Sequence, residues 1–197
     1  MKNIIILVLV FTLLIGGASV LYTRLSKDDA PDRLLVQEEQ NKNDTESQND
    51  ESSTDDTKLQ LTKAPDFAVY DGTGNKVNMS DYVGKPIVLN FWASWCGPCQ
   101  SEMPDFHEKY LELGDEIHFL MVNMTGGRET LSSAKAFISE KGYTFPVFYD
   151  TDSNAATTYS VYSLPTTYFI DAEGYLIAQA TGAISADTLQ KGIDMIK

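Results

Sequence analysis

The sequence predicts an α/β domain, a mixed central sheet with helices on both faces, preceded by a β-hairpin. Three observations lead there. After residue 60, short apolar runs alternate with windows of helical period. Two of those runs, Ile87 to Trp92 and Ile117 to Met124, are apolar almost throughout, as in strands buried on both sides. Near the C-terminus Asp171-Ala172-Glu173-Gly174 joins two strands directly, so antiparallel neighbours are expected beside the parallel ones.

In order, the folded unit begins near Leu61. Phe67 to Tyr70 and Lys76 to Met79 flank the glycine-rich turn Asp71 to Asn75 and make the hairpin. Ser80 is expected to cap a helical turn through Asp81 and Tyr82, and Gly84-Lys85-Pro86 restarts the chain as the central strand Ile87 to Trp92. From Gln100 to Leu113 the apolar residues Met103, Phe106, Tyr110 and Leu113 share one helical face. Ile117 to Met124 is the next strand, and Glu129 to Lys141 the next helix, stopped by Gly142. Then follow a strand (Pro146 to Tyr149), a short helix (Ser153 to Tyr159) and the strands ending at Ile170 and Ala180. Ser185 caps a last helix that carries Leu189, Ile193 and Ile196.

Ahead of the domain lie two further segments. Residues 1–27 contain an uncharged apolar stretch, Ile4 to Tyr22, about 20 residues long, the length that crosses a bilayer as a helix. It reads as an uncleaved signal-anchor; the competing reading is a cleaved secretory signal, for which Gly16-Gly17-Ala18 offers a small-residue site. No cysteine follows the apolar core, which excludes a lipoprotein anchor. Either way the domain is expected outside the cytoplasm, as a single-pass membrane protein in the first case. Residues 28–60 read as an acidic disordered tether, with Leu34-Leu35-Val36 as a short helical turn within it. Eleven acids against three bases place −8 of the net charge of −13 between Asp28 and Lys58, leaving −5 elsewhere. Acidity is thus a property of the tether, and the absence of a basic stripe argues against nucleic-acid binding. Residues 61–197 form the working domain, expected to be monomeric.

Both cysteines of the chain, Cys96 and Cys99, fall at the junction between the central strand and the following helix. A Cys-x-x-Cys pair there is a redox device first and half a metal site second. With no second pair, and with His107 and His118 in no register that meets the cysteines, a metal is not expected, nor any cofactor beyond a redox-active Cys96–Cys99 disulfide. Cys96, in the first helical turn, meets unpaired backbone N–H groups and the helix dipole, which favour its thiolate; it is the expected nucleophile. Cys99, one turn further in, is the expected resolving thiol, and it must lose a proton in a dry place. Glu102 lies three residues on, on the same helical face. Spacing alone fits a proton-handling carboxylate of raised pKa and a solvated helix glutamate equally well.

Ala64-Pro65-Asp66-Phe67, Met79 to Pro86, Asn90 to Cys99, Phe145-Pro146-Val147 and Leu164-Pro165-Thr166-Thr167 together resemble the thioredoxin-like superfamily. More narrowly they resemble the membrane-tethered thiol–disulfide oxidoreductases of the TlpA/ResA type, and the opening hairpin also resembles that of AhpC/TSA redoxins. The resemblance covers most of the chain after residue 60. It implies a thioredoxin-like fold with a helix–strand insertion, for which the 66 positions from Cys99 to Pro165 leave room, a cis Pro165 against the cysteines, and an active-site role for Glu102. It also implies a departure from ordinary thioredoxin, whose buried carboxylate on the central strand is replaced here by Asn90. The client-facing residues are then Trp95, Gly97, Pro98, Leu164 and Pro165; a cis proline removes an N–H beside the sulfurs and leaves the edge at Leu164 to pair with an extended peptide.

The expected activity is reduction of disulfides in exported proteins. Gly-Pro between the cysteines resembles reducing thioredoxins, with potentials of about −270 mV against about −120 mV for a dedicated oxidant. The resemblance implies apocytochrome c as a client and a membrane thiol donor of the CcdA/DsbD kind. Alternatives are an oxidase that donates its disulfide, a peroxiredoxin-like peroxidase, whose threonine and arginine around the cysteine are missing here, and a non-catalytic binding module.

Overall fold

A computed structural model describes residues 33–36 and 61–197. In chain order its elements are β1 (Leu35–Val36), β2 (Thr62–Lys63), β3 (Ala68–Tyr70), β4 (Lys76–Asn78), a 3-10 turn (Met79–Tyr82) and β5 (Ile87–Trp92). There follow α1 (Gly97–Leu113), β6 (His118–Asn123), α2 (Leu131–Lys141) and β7 (Val147–Tyr149). The chain closes with α3 (Asn154–Thr158), β8 (Thr166–Ile170), β9 (Tyr175–Thr181) and α4 (Ala186–Ile196). Among the described residues the strands form one sheet in the order β1-β9-β8-β5-β6-β7-β3-β4, with β2 also on β9.

β5 is the centre of this sheet, parallel to β6 and antiparallel to β8, and all six of its residues are buried. Its alternation sorts the core. Ile87, Leu89 and Phe91 join Phe67, Val122 and Phe148 on one face, with Ala155 of α3. Val88 and Trp92 join Met103 and Phe106 of α1, Ala134 of α2 and Ile193 of α4 on the other. Helices therefore cover both faces, as expected. Each fully buried large side chain contributes about 1.5–3 kcal/mol, so β5 is a rigid stem for the loop that leaves it. The same period of two puts Asn90 on the α1 side, with Val88 and Trp92. α4 packs closely on β8 because Gly192 has no side chain: a Cβ there would lie 2.2 Å from the Phe169 ring.

The element boundaries depart from periodicity where caps decide them. α1 starts at Gly97, three residues earlier than the expected start at Gln100, because Cys96 is its N-cap and Pro98 is tolerated in a first turn. α2 starts at Leu131 rather than Glu129, since the Thr130 hydroxyl accepts from Ser133 N (3.1 Å) and the Ser133 hydroxyl accepts from Thr130 N (3.0 Å). Ser80 does not cap the 3-10 turn; it lies inside it and donates to Asp66 through its N–H and hydroxyl (2.9 and 2.8 Å), while Asn78 holds the cap position. α3 is trimmed to five residues, with the N–H groups of Ala155 and Ala156 donated to the Asp150 carboxylate (3.0 and 2.8 Å). Ser185 caps α4 as expected, accepting from Thr188 N at 3.3 Å.

The helical turn expected at Leu34-Leu35-Val36 is instead strand, Leu35 pairing with Gln179 and Val36 with Ala178. Thr62 pairs with Leu176 on the same edge, two register positions from the Val36–Ala178 pair. The predicted apolar stretch of residues 4–22 and the rest of the acidic tract lie outside the described residues. Among the described residues no helix is long and apolar enough to cross a membrane.

Candidate active site

The loop from Ala93 carries the cysteines off the end of β5 and straight into α1. Cys96 and Cys99 form a disulfide, their Cα atoms 5.3 Å apart. Cys96 Sγ accepts from Cys99 N at 3.2 Å, so the sulfur itself occupies the capping position at the head of the first turn. Cys96 is 4% exposed and lines a cleft of about 610 Å³; Cys99 is wholly buried behind it. That asymmetry fits an attacking and a resolving sulfur.

Trp95, Gly97, Pro98 and Leu164 line the same cleft. Trp95 stands at the rim, 44% exposed, whereas Trp92 is buried in the core beneath α1. Pro165 follows Leu164 through a cis peptide bond, is buried, and its carbonyl accepts from Gly182 N at 2.8 Å. Thus five of the eight residues named from the sequence, Trp95, Cys96, Gly97, Pro98 and Leu164, share one wall-lined groove. Cys99, Glu102 and Pro165 lie buried.

Glu102 is 2% exposed, not solvated. Its Oε1 accepts from Asn90 Nδ2 (2.8 Å) and its Oε2 from Ile184 N (2.9 Å), while Asn90 Nδ2 also donates to Thr167 Oγ1 (3.0 Å). Burial raises its pKa to about 7, against the opposing pull of the hydrogen bonds from Ile184 and Asn90. The carboxylate missing from the central strand is thus supplied by the helix, with the strand's Asn90 reaching up to hold it. A carboxyl poised near neutrality, one turn along α1 from the buried sulfur, can take up and return a proton at working pH.

A second buried carboxylate escaped sequence reasoning, which had placed Glu129 in a helix. Glu129 is also 2% exposed. It accepts from the N–H of Ser94, from the Ser94 hydroxyl (2.9 Å) and from the Ser133 hydroxyl. It therefore ties the loop before α2 to the backbone two residues ahead of Cys96. Arg128, beside it, stacks on Trp95 with the guanidinium carbon 5.0 Å from the ring centroid. Neither contact leaves a mark in the sequence, since both join segments more than 30 residues apart. His107 bonds Thr144 and His118 packs on Tyr82; neither residue belongs to this cleft.

The comparisons with known proteins agree with this geometry. Residues 61–179 match the sequence model of the AhpC/TSA family. Thiol-disulfide oxidoreductase ResA of Bacillus thuringiensis (strain Al Hakam) is 39% identical over 140 residues, covering 69% of this chain and 78% of that protein. Thioredoxin-like protein YneN of Bacillus subtilis (strain 168) is 33% identical over 133 residues, covering 68% and 78%. Among solved structures, the exposed lipoprotein thioredoxin of Streptococcus pneumoniae superposes with a TM-score of 0.58 at 34% identity, over 66% of this chain and 99% of that one. With the Cys-x-x-Cys pair at the head of α1 and these relatives, the chain belongs to the AhpC/TSA family, as a thioredoxin-like thiol–disulfide oxidoreductase of the TlpA/ResA type.

Proposed function

We propose that this oxidoreductase works as a reductase, held at the outer face of the cell membrane by its N-terminal segment and acting on disulfides of exported proteins. Apocytochrome c is the client that the ResA-type resemblance suggests. The observation that carries the reading is the buried Glu102, with its pKa near neutrality, on the same helix as the buried Cys99.

The steps follow from the placement of the groups. The Cys96 thiolate attacks one sulfur of the client disulfide; the S–S bond breaks, a mixed disulfide forms, and the departing client thiolate takes a proton from solvent. The Cys99 thiol then passes its proton to the Glu102 carboxylate and attacks Cys96 Sγ. The second client sulfur leaves as a thiolate and is protonated, so two electrons have moved from the enzyme dithiol to the client. A membrane dithiol of the CcdA/DsbD kind restores them by the reverse exchange, and Glu102 returns its proton to Cys99. No cofactor beyond the cysteine pair takes part. Stabilising the Cys96 thiolate falls to the α1 N-terminus, where the Cys99 N–H already points at Cys96 Sγ.

The direction is tested by the midpoint potential of the Cys96–Cys99 couple, measured against glutathione or dithiothreitol buffers. A value well below about −180 mV, the region of protein disulfide isomerase, is expected. A value above it reverses the direction of electron flow and makes the protein a disulfide donor.

A further inference from the structure

The thiol chemistry leaves one charge in the cleft unused. Gly126 and Glu129 close a tight turn through Gly126 N to Glu129 O (2.9 Å) and Glu129 N to Gly126 O (3.0 Å). Gly127 in its middle sits at φ 57°, a left-handed conformation that glycine adopts without strain. The Glu129 carboxylate then fastens the turn to Ser94. Arg128 is therefore presented from a fixed support rather than from a swinging loop. Its side chain is exposed and makes no ion pair among the described residues. Among the described residues lining the cleft it is the one permanently charged side chain.

A guanidinium stacked on an aromatic ring keeps its plane fixed and its N–H edges free, and that fork matches a carboxylate. The other walls, Trp95, Met124, Val161, Tyr162 and Leu164, offer apolar contact to any extended segment and no choice by charge. Tyr162, which lines the same cleft as Trp95, is 94% exposed, with nothing packed over it. The geometry points to Arg128, on its Trp95 platform, as a carboxylate-reading subsite. The preferred client is then an extended segment with Asp or Glu within two residues of the disulfide cysteine that Cys96 attacks. This specificity rests on the reductase reading of the cleft and adds to it.

The test uses the full chain, reduced beforehand to its dithiol, and two synthetic peptides. Each peptide is closed by one disulfide, and the two differ only in Glu or Gln beside the cysteine. Single-turnover reduction is followed by thiol release. The Glu peptide is expected to react about two- to fivefold faster at low ionic strength, the scale of one partly exposed ion pair, with the gap narrowing as salt is added. In Arg128→Gln the ratio falls to about one, and in Arg128→Glu the Gln peptide becomes the faster. Because the readout is a ratio within one protein, a general loss of rate does not imitate it. Equal rates in the wild-type protein, or a preference that survives Arg128→Gln, overturn the subsite and leave the reductase intact. Failure to reduce either peptide overturns the reductase reading and the subsite with it.

Discussion

Two buried glutamates flank the disulfide, equally hidden from water, yet they do different work. Glu102 receives two donors, one from the Asn90 amide and one from Ile184 N. Glu129 receives three, from Ser94 N, the Ser94 hydroxyl and the Ser133 hydroxyl. Glu102 is on α1 with Cys99; Glu129 grips the chain that delivers Cys96. Burial alone thus assigns no role to a carboxylate. What it touches, rather than how deep it lies, separates the proposed proton carrier from the clamp.

The sharpest way to break this comparison is to remove the charge of Glu102. Glu102→Gln keeps shape, and the Asn90 amide can turn to present its oxygen, which has no hydrogen-bond partner among the described residues. The fold should survive while resolution of the mixed disulfide slows by about 10² at pH 7, the low end of general-base contributions; trapped client–Cys96 adducts on gels check it. A second signature concerns stability. The folded pKa, about 7, lies above the ordinary value of 4.5, so the native state binds the extra proton between those values. The oxidised domain has this contribution in full below about pH 4.5 and loses it as pH rises through about 7, by up to about 3 kcal/mol. Denaturant titrations across that range should fall with pH in the wild type and stay flatter in Glu102→Gln.

Glu129→Ala should act on the other limb of the comparison. It strips the acceptor from a partly buried backbone N–H at Ser94 and from two hydroxyls, a loss of about 2 kcal/mol. It also frees the segment that carries Trp95 and Cys96. The expected result is a lower thermal midpoint and slower attack on protein clients, with the pH dependence of stability kept, because Glu102 is untouched. If Glu129→Ala instead flattens that dependence, the two carboxylates are coupled and the division of labour fails.

The sequence made the frame of this site legible and its wiring invisible. Ile87 to Trp92 announced itself as the buried centre, and the cysteines were placed at a strand–helix junction because the apolar run stops at Trp92. Ser185 as a cap and Pro165 before β8 were readable for equally local reasons. Leu35 and Val36 were not: two residues carry no period, and only the open edge of β9 makes them strand. Glu129 was drawn into α2 because a charged residue before an amphipathic window looks helical, while the Thr130–Ser133 box that starts the helix sits one residue later. Asn90 showed as a missing carboxylate, but not as a donor to its replacement. That bond joins β5 to α1, and only the period-two sorting of Val88, Asn90 and Trp92 toward α1 hinted at it.

The mildest change is at that bond. Asn90→Leu keeps the branching of the side chain at Cγ, keeps the space dry, and removes one of the two donors that stabilise ionised Glu102. The hydrogen bond from Asn90 lowers the pKa of Glu102, so its loss should move the carboxyl upward from about 7. One net hydrogen bond to a charged group is worth about 1.5–3 kcal/mol, which corresponds to roughly one to two pH units. A carboxyl titration by NMR, or the pH midpoint of the stability curve, should shift up accordingly. A downward shift would mean that water has replaced the amide as donor, and that dryness, rather than Asn90, is what the strand contributes to the proton carrier.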